Sequence, residues 1–79
     1  MPPSANRTSS EKKKLKTLGD KVKNARMAKG LTLSQLAFAI GKEPQSIHRL
    51  EAGKINPSYL YLIEVCKGLD VDITTLLVD

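Results

Sequence analysis

Two glycines and a proline punctuate the middle of this chain, and they leave it little choice of fold. Residues 33–53 read LSQLAFAIGKEPQSIHRLEAG, with Leu33, Leu36, Ala37 and Ile40 at helical spacing up to Gly41. Ile47 and Leu50, three apart, follow Pro44, and Gly53 ends the run. Proline suits a first helical turn, where its missing amide hydrogen costs nothing. Glycine accepts the left-handed conformation that a tight turn demands. The stretch therefore reads as two short helices joined at Gly41, the second spanning residues 44–52. Ala37 lies four residues before the turn, where the helix backbones must approach closely.

The flanking sequence supplies more helices. Leu15, Leu18, Val22, Ala25 and Ala28 share one side of a helix over residues 15–29, with Ser10 or Thr17 as its cap. Gly19 reads as a small cost inside it, and Gly30 as its left-handed terminator. Thr32 and Gln35 form a capping box ahead of the second helix. Ser58 opens a fourth helix with the stripe Tyr59, Leu62, Ile63, Cys66 and Leu69; Asp72 caps a fifth, residues 73–78, whose apolar residues include Ile73, Leu76 and Leu77. Val, Ile and Thr are sparse in the first two thirds, which disfavours sheet. The expected fold is all-α: a compact five-helix domain over residues 15–79 behind a flexible basic arm, residues 1–14. A chain of 79 residues buries about 60% of its unfolded surface, and 41% hydrophobic content suits a folded domain rather than a disordered one.

Charge is distributed unevenly within the net +5. Up to Lys16, Arg7, Lys12, Lys13, Lys14 and Lys16 face only Glu11. From Thr17 to Lys54, seven basic residues face Asp20, Glu43 and Glu51; beyond, Lys67 faces Glu64, Asp70, Asp72 and Asp79. A basic front half and an acidic end orient a molecule towards a polyanion. Arg7 and Lys12–Lys14 are candidates for phosphate or minor-groove contact, a solvated tail or helix face being the alternative. One histidine, His48, and one cysteine, Cys66, without paired carboxylates, a phosphate loop or metal-ligand spacing, argue against an enzyme, a metal site or a cofactor. No apolar run reaches the ~18 residues of a membrane span, and no signal-type segment is visible, so a cytoplasmic, nucleoid-associated location is expected.

With Ile47 and Leu50 turned inward, Gln45, Ser46 and Arg49 share the outward side of the third helix. Arg suits guanine O6 and N7, Gln suits adenine N6 and N7, and Ser serves either a donor or an acceptor. His48 flanks this row and reads as inert.

Over residues 18–77 the chain resembles the lambda-repressor/Cro-like, or XRE, helix-turn-helix family. The matching residues are Leu18-Gly19, Val22, Arg26, Gly30-Leu31-Thr32, Leu36-Ala37, Gly41, Ile47 and Arg49-Leu50-Glu51. Gly53-Lys54, Asn56-Pro57-Ser58 and Leu69-Asp70-Val71 continue the series. The resemblance implies that the third helix enters the major groove of double-stranded DNA and that Arg26 pairs with Glu51. Gln35, Lys42 and Lys54 are then the phosphate candidates inside the motif. Three positions depart from the family pattern: Leu33 where Gln is common, Glu43 where Ser or Thr usually caps the third helix, and Phe38, off the buried face. Glu43 suits a helix N-terminus and could accept from a cytosine N4. The expected function is a sequence-specific transcriptional regulator acting as a homodimer, paired through the fifth helix with Leu60, Leu76, Leu77 and Val78 as candidates. The alternative is an antitoxin-like module that binds a partner protein first and DNA secondarily.

Overall fold

Thr8 starts the first helix. In the computed structural model, which describes residues 7–77, its hydroxyl accepts from the Glu11 amide at 3.1 Å while the Glu11 carboxylate accepts from the Thr8 amide at 2.8 Å. That reciprocal box satisfies two otherwise unpaired amides and begins α1 at Ser9, so that it runs Ser9–Ala28. The expected boundary at residue 15 is therefore corrected: residues 9–14 are helical, and Lys12–Lys14 ride on α1 rather than on a flexible arm. Thr17 does not cap; its hydroxyl donates back to the Lys13 carbonyl inside the helix. Residues 1–6 of the expected arm lie outside the described residues, as does Val78.

Four further helices follow among the described residues: α2 Leu33–Ile40, α3 Pro44–Glu51, α4 Tyr59–Leu69 and α5 Thr74–Leu77. There is no strand among them. Thr32 and Gln35 form the second capping box, at 2.8 and 3.0 Å. Gly41 takes φ +67°, the left-handed turn between α2 and α3. Ser58 caps α4 by accepting from the Tyr61 amide at 3.0 Å. Asp72 accepts from the Thr74 amide and hydroxyl, both at 2.9 Å, at the start of α5.

Val22, Leu36, Ala37, Ile47, Leu50, Leu62, Val65, Cys66, Leu69 and Leu76 form one core. Burying a large aliphatic side chain of this kind stabilises by roughly 1.5–3 kcal/mol. α2 packs on α3 and α4, and α1 on α3 and α5. Three expectations change here. Tyr59, the first residue of α4, is exposed, and Val65 joins the buried side instead. Ala28, expected on the inner side of the first helix, is exposed at its end. Leu76, expected among the pairing candidates, belongs to the core and is not available for pairing, while Leu77 points outward.

Gly19 also does more than expected. A Cβ there would stand 2.4 Å from the Glu51 carbonyl oxygen and 2.5 Å from that of Leu50. Its lack of a side chain is what lets α1 lie directly against the end of α3. One turn earlier, Gly53, at φ +73°, sits against the backbone of Leu15 and Lys16. The end of α3 is thus clamped along α1 by two glycines.

Candidate nucleic-acid interface

Three hydrogen bonds from Arg26 tie α1 to α3 and to the approach to α2. Arg26 Nε donates to Glu51 Oε2 at 2.7 Å and Nη2 to Oε1 at 3.0 Å, a bidentate pair across α1 and α3. The third, from Nη1 to the Leu31 carbonyl at 2.8 Å, ties in the approach to α2. Both side chains are buried, Arg26 at 9% and Glu51 at 5% exposure, and no buried polar side-chain atom lacks a partner among the described residues. The hydrogen bond with Glu51 holds the Arg26 guanidinium above its already high pKa despite burial.

On the opposite side of α3, Gln45 and Arg49 are exposed, with His48 beside them. Ser46 is half-buried, and its hydroxyl lies 2.6 Å from the Tyr61 hydroxyl on α4. Glu43, Gln45, Ser46, Arg49 and Ile55 line a shallow cleft of about 270 Å³. Glu43 precedes α3 in N-cap position, exposed and without a side-chain cap bond among the described residues. Two residues of this site escaped the sequence reading. Ile55 was hidden in a turn, and Tyr61 lies on another helix, 15 residues from Ser46.

The phosphate candidates are not equivalent. The Gln35 amide oxygen is taken by the Thr32 amide, which leaves its NH2 group for a ligand. Lys42 Nζ lies 3.4 Å from Glu64 and 5.5 Å from the centre of the Tyr61 ring, so a phosphate there must compete with a carboxylate. Lys54 is exposed, and its carbonyl receives Arg7 Nη1 at 3.4 Å. Lys12 is one turn before Lys16, whose backbone touches Gly53, and so shares the α3 side of α1. Lys13 and Lys14 line a groove with Leu18, Leu76 and Leu77, on the α5 side. The three consecutive lysines therefore divide between two faces. Phe38 is 90% exposed on α2.

No described helix is long and apolar enough to cross a membrane, and no cluster of potential metal ligands occurs among the described residues.

Residues 22–76 match the helix-turn-helix family. Among solved structures, the chain is similar to the clp gene regulator ClgR from Corynebacterium glutamicum. That match has 31% identity and a TM-score of 0.79, covering 82% of this chain and 84% of that one. It is also similar to the restriction-modification controller protein C.AhdI from Aeromonas hydrophila, with 29% identity, a TM-score of 0.76, and 78% and 94% coverage. No curated protein matches it.

Proposed function

The chain belongs to the XRE helix-turn-helix family of DNA-binding transcriptional regulators, and on that premise we propose that it reads a specific double-stranded operator with α3 in the major groove. The observation that carries this reading is the exposed pair Gln45 and Arg49 on a helix whose other side is locked by Arg26, Glu51 and Gly19. A reading side chain is useful only if its helix does not shift, and a rigid element holds it better than a loop would. Arg49 is suited to guanine and Gln45 to adenine, each discriminating by roughly 1–3 kcal/mol. Ser46 shares the cleft with them. Arg7, Lys12 and Lys54, gathered on the α3 side, are the phosphate anchors, joined by the Gln35 side chain and the amides at the start of α2. Lys42 contributes once Glu64 releases it. Lys13 and Lys14 add to the attracting field.

One recognition helix reads only a few base pairs, so the protein acts as a homodimer on half-sites about 34–36 Å apart. Leu60 and Leu77, 72% and 58% exposed, supply apolar surface for pairing. A second reading, a module that captures a partner protein and binds DNA secondarily, draws its support from Phe38. Phe38→Ser would then abolish partner capture and leave operator affinity unchanged.

Selection of bound sequences from random DNA tests the main reading. A recovered two-fold motif supports it, and recovery of no motif contradicts it.

A further inference from the structure

A serine hydroxyl at a base edge is ambiguous, since it can donate or accept. Here one of its two roles is already taken. Ser46 and Tyr61 are 2.6 Å apart, a full O–H···O hydrogen bond in which one hydroxyl must donate to the other. A phenol is the stronger donor of the two. The Lys42 ammonium, 5.5 Å from the ring centre, draws electron density from the phenol oxygen and makes it a poorer acceptor. Both effects favour Tyr61 as the donor, which leaves the Ser46 proton free for the cleft lined by Glu43, Gln45, Arg49 and Ile55.

Resting on the reading of α3 as the base reader, we propose that Tyr61 is a positioning residue that sets Ser46 as a hydrogen-bond donor towards DNA. Tyr61 would thereby shape the operator from a helix that does not itself read bases. A Ser46 donor selects guanine N7 or O6, adenine N7 or thymine O4, and rejects the amino groups of cytosine and adenine. The cleft is then polarised, with Ser46 and Arg49 donating and Glu43 as its acceptor.

The test starts from the selected operator. Ser46→Ala identifies the position that Ser46 serves, as the one where base preference flattens. That position should present an acceptor; if it is a purine, replacing N7 by C–H should weaken wild-type binding about three- to tenfold. Tyr61→Phe keeps the half-buried ring, so the melting temperature should hold while preference relaxes at that position alone. The double variant should bind like Ser46→Ala. An amino group at the Ser46 position, or unchanged preference in a folded Tyr61→Phe protein, would overturn the proposal. Failure of the underlying reading looks different: Gln45→Ala and Arg49→Ala would then leave operator affinity intact.

Discussion

Burying an arginine and a glutamate in so small a domain is costly, because each loses its water, and the cost is offset only by complete pairing. Arg26 achieves that with its two bonds to Glu51 and one to the Leu31 carbonyl. Arg26→Ala strands the Glu51 carboxylate and should cost about 3–5 kcal/mol, read as a shift in the urea midpoint. Replacing both partners by apolar residues of similar volume should cost far less, since no charge is then stranded. A loss of DNA binding in Arg26→Ala is therefore a loss of fold. The pair, 25 residues apart, was legible only through the family resemblance, because no local spacing joins its members. The Ser46–Tyr61 bond had no such help: both types are ordinary on a polar helix face, and only the packing of α4 brings them together.

Helix starts carry two further predictions. Thr8→Ala removes one half of the first capping box and should cost about 1 kcal/mol, with fraying confined to residues 9–14 in hydrogen exchange. This start was readable in the chain, since Thr8-Ser9-Ser10-Glu11 is itself a capping-box sequence. The polar tail in front of it, with no apolar periodicity, disguised it. At α5, hydrogen bonds from the Thr74 amide and hydroxyl hold the Asp72 carboxyl below its ordinary value of 3.8. The folded chain thus prefers the ionised form. Its contribution to α5 is complete above 3.8 and fades as pH falls below that value, because the unfolded chain takes up the proton first. Protection of the residue 74–77 amides, relative to their intrinsic exchange rates at each pH, should fall there, and Asp72→Asn should reduce that response. Gly19 belongs at this scale too. Gly19→Ala would improve helix propensity yet drive a methyl into two carbonyl oxygens, and should destabilise by about 1–3 kcal/mol or more. Propensity gave the wrong weight to Gly19 because the constraint comes from α3, which the local sequence does not contain.

Across the whole molecule, the same clamp that stabilises the fold also fixes how α3 is presented. α1 crosses the end of α3, leaving Gln45 and Arg49 outward, while Arg7 reaches the Lys54 carbonyl just past that helix. The helix-turn-helix was legible because it rests on glycine, proline and apolar spacing, and the charge polarity because it rests on where the basic and acidic residues fall; both are local signals. The division of Lys12 from Lys13 and Lys14 was not, because it depends on α1 starting at Ser9. Binding should show the salt dependence of phosphate attachment, with a log–log slope of about −0.9 per phosphate neutralised. Lys12→Ala removes one contact per protomer and should flatten the slope of the bound homodimer by about two units for any duplex. The central claim, that α3 is the reader, is tested most directly by titrating the selected operator and a random duplex with the wild type, Gln45→Ala and Arg49→Ala. The wild type should prefer its operator by about a thousandfold or more. Each variant gives up its contact in both half-sites and should lose twice the roughly 1–3 kcal/mol of one contact on the operator, with an unchanged melting temperature and little change on random DNA. Operator affinity untouched in both variants would contradict the claim.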